Sequence, residues 1–241
     1  MTRIFSDFTE DRGGVITLTG KDSVHVASAL RMRPGEMITV CDGRGKDALC
    51  VIEESSAART VCKILDVAPS PEELPVRVFL CQSYPKGDKF EFILQKTTEL
   101  GVSCVIPVMS DRCISRPDKA SFDKKLLRYR DICREAAQQC GRGVIPEVCG
   151  MTDFRRAVEA VPENAAAVFC YEKEYGVSLR SVIPGYTGDL YVFIGPEGGY
   201  TEGEADMARS RGITPVTLGK RILRCETAPV FVMSCIGYEF L

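Results

Sequence analysis

Leu190 to Ile194 (LYVFI) is a continuous apolar, partly β-branched run, the pattern of a strand covered on both faces of a parallel sheet. It stops at Gly195-Pro196-Glu197-Gly198-Gly199-Tyr200, where glycines let the backbone come close to a ligand. Thr201 followed by Glu204 predicts a capping box opening a helix to about Arg211, with Gly212 at its C′ position. A second strand, Ile213 to Leu218, again ends at a glycine, Gly219. Two glycine loops at strand ends predict one crevice at the carboxyl edge of a sheet, where ligands of α/β proteins bind. That places a site without defining its chemistry.

The chain around this region alternates strand and helix. Val76 to Cys81 and Ser103 to Met109 read as strands, with a helix between them that Asp88 and Glu91 would cap and Gly101 would end. A long helix follows from about Ser121 to Cys140, then a helix from Asp153 to Ala160 and a strand from Ala165 to Tyr171. A last helix runs from about Pro229 to Phe240, with proline in its first turn. Such alternation implies a mainly parallel sheet covered on both faces. The last helix carries Val230, Phe231, Val232, Met233, Cys235, Ile236 and Phe240, apolar nearly all round. It must be buried on more than one side, against its own sheet and against another subunit.

The first seventy residues have a different texture. A short helix from an Asp22 cap to Leu30 is followed by short strands at Met37 to Cys41, Ala48 to Ile52 and Thr60 to Val67, with Asp42-Gly43 starting a turn. This suggests a small β-barrel. Ala68 to Pro75 is proline-rich and polar, and reads as a linker. The predicted division is therefore 1–70, a linker at 71–75, and an α/β domain at 76–241.

Composition excludes more than it selects. No apolar run is long enough to span a bilayer, and Met1 to Asp7 lacks the apolar core of a signal peptide, so a cytoplasmic protein is expected. Twelve cysteines contain no C-x-x-C, and there is one histidine, so no metal is expected. The cysteines read as small buried hydrophobes in a reducing cell. A net charge of -2 argues against a wholesale polyanion binder. Yet Met207 to Cys225 holds five basic residues and no acid, and three of them, Lys220, Arg221 and Arg224, adjoin the second glycine loop. They either face an anion or form a solvated surface. A P-loop motif is absent, and a nicotinamide site lacks both G-x-G-x-x-G and an acid at the end of the second strand.

IGPEGG, with Leu218-Gly219 and Arg221-Ile222-Leu223-Arg224-Cys225-Glu226-Thr227-Ala228, resembles the C-terminal signature of the RsmE family. These bacterial enzymes of the SPOUT class methylate N3 of a uridine in 16S ribosomal RNA. Lys86-Gly87-Asp88-Lys89 with Glu91, and Gln95 to Val102, are similar to the family's KGDKxE…QKxTELGV segment. Arg134 to Arg142 with Ile145-Pro146 resembles its EAAEQxxR…IP segment, and His25 to Gly35 its HLxxVLRxxxG segment. Tyr200 stands where phenylalanine is usual and Cys225 where threonine is usual.

The resemblance implies a PUA-like β-barrel followed by a SPOUT α/β domain tied in a trefoil knot, although topology rules alone speak against knots. It implies a homodimer, and S-adenosyl-L-methionine held by Ile194, Gly195, Pro196, Glu197, Gly198, Gly199, Leu218, Gly219, Ile222, Leu223, Thr227 and Ala228. Physically, glycine backbones suit close approach to adenine and ribose, and Leu223 would cover the adenine. Arg224 would stabilise a uracil anion as N3 loses its proton. Glu226 would either accept that proton or orient Arg224 through an ion pair. Glu197 would contact the ligand or stabilise its turn. Candidate RNA contacts are Arg3, His25, Arg31, Arg33, Arg142, Lys220 and Arg221. The implied partner is 16S ribosomal RNA or the small ribosomal subunit. The rivals are a related knotted enzyme acting on transfer RNA and a non-catalytic RNA-binding assembly factor.

Overall fold

The computed structural model describes residues 2–9, 11–71, 73–183 and 185–240; Glu72 of the predicted linker lies outside them. The chain forms two compact units, Met1–Glu73 with Ala137–Ile145, and Leu74–Ala136 with Pro146–Leu241.

In the first unit, β1 (Arg3–Phe5), β2 (Val15–Thr19), β3 (Met37–Cys41), β4 (Lys46–Ser55) and β5 (Arg59–Pro69) form one sheet in the order β1-β3-β4-β5-β2. Only the β1–β3 pair is parallel. Two register shifts along β4–β5 bend and twist the sheet. In β2, Ile16 and Leu18 alternate inward to a core with Ile4, Val26, Ile38, Val40, Ile52 and Ile64. The short helix starts earlier than the Asp22 cap predicts: α1 (Gly20–Val24) has Thr19 as its N-cap and continues as a π-helical segment, His25–Ala29. Ser23 explains why this helix stays docked. Its buried hydroxyl lies 2.9 Å from Thr60 Oγ1 and donates to the Ser56 carbonyl at 2.8 Å. β5 absorbs the first residues of the predicted linker, with Ala68 and Pro69 paired to Asp47 and Lys46.

Two expected RNA contacts are instead structural. Arg142 is buried, and its guanidinium donates to Glu73 Oε2 at 2.6 Å, while Glu73 Oε1 also accepts from the amides of Gly143 and Val144. Arg3 pairs with Asp47 at 2.8 Å and is nearly covered. Neither guanidinium is presented to a phosphate. Glu73→Ala would remove a carboxylate that accepts from the buried Arg142 guanidinium and from the Gly143 and Val144 amides, so it is expected to lower stability by about 1–3 kcal/mol, read from urea unfolding.

In the second unit, β6 (Arg77–Ser83), β7 (Cys104–Met109), β8 (Glu147–Val148), β9 (Thr152–Asp153), β10 (Ala166–Cys170), β11 (Asp189–Ile194) and β12 (Thr214–Val216) make a wholly parallel sheet. Its order is β12-β10-β11-β6-β7-β8, with β9 also on β7. The connecting helices are α2 (Lys89–Glu99), α3 (Lys119–Cys140), α4 (Phe154–Glu159) and α5 (Glu202–Ser210), and α6 (Thr227–Glu239) follows β12. β11 is buried along nearly its whole length, as its unbroken apolar run requires. Phe154, Phe169, Phe193 and Tyr200 pack in one cluster of the core.

The caps separate good from poor local signals. Thr201 and Glu204 form the predicted capping box on α5, and Gly212 follows the helix with φ +76°. Asp153 caps α4 through the Arg156 amide. The Asp88/Glu91 box does not form. Asp88 sits at φ −87°, ψ 4°, outside the extended region a capping side chain needs, and Glu91 pairs with Arg128 instead. On α6, Ala228, Pro229, Val232, Met233 and Ile236 are buried, whereas Phe231 and Tyr238 remain exposed. Among the described residues, no helix is long and apolar enough to cross a membrane.

Candidate active site

Three adjacent strands end level with one another. Cys170 of β10 is in register with Ile194 of β11 and with Val216 of β12. The loops that leave these ends therefore enclose common space at the carboxyl rim of the sheet. They line a cavity of about 580 Å³, a size that suits a small organic ligand.

The first glycine loop is held from behind. Tyr200 is fully buried, its ring 5.2 Å from Phe154 and 5.5 Å from Phe169. Arg112 donates to the Gly198 carbonyl at 2.8 Å and to the Tyr200 carbonyl at 3.2 Å. Gly199 takes φ +65°, a conformation that glycine adopts at little cost. A Cβ there would also sit 2.5 Å from Glu172 Oε1. A Cβ on Gly198 would meet Arg112 at 3.2 Å, so this glycine leaves room for the arginine. In the second loop, Gly219 has φ +108°, and a Cβ there would meet open space.

Of the twelve predicted ligand residues, Ile194, Gly195, Pro196, Glu197, Gly198, Gly199, Leu218, Gly219, Ile222, Leu223 and Ala228 line this cavity. Thr227 does not. It is exposed at the first turn of α6. Arg224, Lys220 and Arg221 also line the cavity, and all three are exposed. The other two residues of the basic stretch are engaged elsewhere: Arg209 pairs with Asp206 and stands over the Tyr171 ring, and Arg211 donates to the Glu159 carbonyl. The Arg224 guanidinium makes no hydrogen bond or ion pair with any of the described residues, while its carbonyl accepts from Thr227 and Ala228.

Glu226 does not orient Arg224 as one reading of the sequence proposed. Its Oε2 lies 3.2 Å from Lys89 Nζ and accepts from Cys225 Sγ at 3.2 Å. Burial would raise its pKa, but hydrogen bonds from its own amide, Cys225 and Lys89 outweigh that and hold it below the ordinary carboxylate range. Glu197 is held low in the same way, burial being outweighed by its own amide, the Lys86 amide and Lys89. Burial and the bond to Glu226 push the Cys225 thiol up to about 12, so it stays protonated. Lys89 and Arg112 were missed in the sequence because each acts on loops about a hundred residues away, a separation that no local pattern encodes.

His25, Arg31 and Arg33 belong to the first unit and are exposed. Arg31 holds φ +55°, the only left-handed non-glycine among the described residues.

Residues 72–237 match the family model described as an RNA methyltransferase domain, and 18–65 match the RNA methyltransferase PUA domain. Fold and cleft thus define a methyltransferase domain joined to a PUA domain. A ribosomal RNA small subunit methyltransferase E from Bacillus subtilis is 32% identical over 99% of this chain and 97% of its own. The Mycobacterium bovis protein of the same name is 31% identical, over 97% and 90%. The chain belongs to the ribosomal RNA small subunit methyltransferase E family. Among solved structures, the Neisseria gonorrhoeae member bound to S-adenosyl methionine superposes with a TM-score of 0.88 at 34% identity, covering 99% of this chain and 97% of that one. A Legionella pneumophila putative methyltransferase in complex with the same molecule gives 0.86 at 29%, covering 99% and 98%.

Proposed function

We propose that this chain transfers a methyl group from S-adenosyl-L-methionine to N3 of a uridine in 16S ribosomal RNA, as a cytoplasmic homodimer with a knotted catalytic domain. The observation that carries the chemistry is Arg224, a guanidinium with no hydrogen bond or ion pair to the described residues that lines a cavity walled by two glycine loops. The residues fit the donor. Gly195, Gly198, Gly199 and Gly219 line the cavity together with the apolar Leu218, Ile222 and Leu223. When bound, the donor supplies an activated methyl on a sulfonium sulfur.

Uracil N3 attacks only after it gives up its proton to water, and the resulting negative charge spreads onto the flanking oxygens. Arg224 is placed to meet that charge without first breaking an ion pair. Glu226, ionised and held low by its neighbours, is a weak base, so the rate rests on alignment and on Arg224 rather than on a dedicated carboxylate base. Exposed Phe231 and Tyr238 on α6 support a second subunit.

Lys220, Arg221, His25, Arg31 and Arg33 remain the RNA contacts. Removing Arg31, Arg33 or Lys220 singly is expected to weaken binding across sequences and to reduce the log–log salt slope by about one. The test of the reaction is nucleoside mass spectrometry on RNA from a deletion strain, complemented by the wild-type gene. Loss of N3-methyluridine from 16S RNA is the expected result. Loss from transfer RNA alone would favour the tRNA enzyme, and unchanged nucleosides the assembly factor.

A further inference from the structure

Lys89 joins three segments that are distant in the chain. It opens α2, and its ammonium lies 3.1 Å from Glu197 Oε1, 3.2 Å from Glu226 Oε2 and 3.8 Å from Cys225 Sγ. The Lys86 amide donates to the same Glu197 oxygen at 3.0 Å. Glu197 belongs to the first glycine loop, and Glu226 closes the second loop at the N-terminus of α6. One cation therefore bridges both lips of the cavity.

The chemistry of the group matters here. This ammonium donates to Glu197 Oε1 and to Cys225 Sγ and forms an ion pair with Glu226 Oε2, so its charge is turned toward the two loops. The side chains of Lys89, Glu197 and Glu226 are 29%, 24% and 22% exposed, which makes the pairing partly desolvated and stronger than a surface bridge. Without the cation, the two carboxylates would keep the Lys86 amide, the Cys225 thiol and their own amides as donors, with no counter-charge between them, and repulsion would push the lips apart.

We propose that Lys89 is a positioning residue for methyl transfer, a clasp that acts through Glu197 and Glu226 to hold both glycine loops in the binding-competent arrangement. The inference rests on the reading of the cavity as the donor site. It does not require the ammonium to touch the reacting atoms.

Hydrogen exchange of the full chain without ligand tests the clasp directly. In Lys89→Met, amides of 195–200 and 219–227 are expected to exchange about tenfold faster, with the β6 and β11 amides unchanged. Calorimetry should show S-adenosyl-L-methionine binding about tenfold weaker, and Lys89→Arg, which keeps the charge, within about threefold of wild type. In a double-mutant cycle, Lys89→Met should cost much less in a Glu226→Gln background than in wild type. Unchanged exchange in both loops, or strictly additive effects with Glu226→Gln, overturns the clasp. If wild type itself fails to bind the donor, the donor-site reading falls, and the exchange comparison still decides the role of Lys89.

Discussion

Arg224→Ala is expected to lower kcat by about a hundred- to a thousandfold while leaving the donor Kd within about threefold. The expectation follows from where its guanidinium stands. It lines the cavity, is exposed, and its removal breaks no hydrogen bond or ion pair among the described residues. Its backbone carbonyl, which starts α6, is untouched by the change. The loss should therefore fall on the step in which charge develops, not on folding or donor binding. Single-turnover rates at saturating donor, together with calorimetric Kd, separate the two. A wild-type rate would remove Arg224 from the mechanism; a collapsed donor affinity would make it a ligand contact.

Gly199→Val should abolish measurable donor binding, raising Kd at least about a hundredfold, and lower stability by about 1–2 kcal/mol. Its φ of +65° is a genuine outlier for a β-branched residue, and a Cβ would press on Glu172, which lines the same cavity. The loop must then leave its present path, taking its amides with it. Gly203 is the internal control. It lies in α5 with open space around it, so Gly203→Ala should raise stability by about 0.5–1 kcal/mol without changing Kd. Thermal unfolding and calorimetry on both variants distinguish a conformational requirement from general sensitivity of glycines in this region.

Signals carried by a few neighbouring residues were legible. The LYVFI run, the Thr201/Glu204 box and the Gly212 stop all form as read, because strand burial and capping depend on chemistry within a handful of positions. β1 and β2 were not read, being short and held mainly by partners elsewhere in the first unit. Asp88 failed as a cap because the turn before it fixes its backbone in the wrong region, which residue type does not reveal. Arg142 looked like an exposed cation until Glu73 enclosed it.

The amino-acid order alone determined that two glycine loops would end parallel strands, and its resemblance to one family, spread along nearly the whole chain, pointed to methyl transfer on RNA. Only the tertiary structure decided which charges are available for that chemistry. It spends Arg3, Arg142 and Lys89 on internal carboxylates and, among the described residues, gives Arg224 none. The reason is physical: periodicity and capping act over a few residues, whereas the partner of a long charged side chain is set by which strands the sheet brings together.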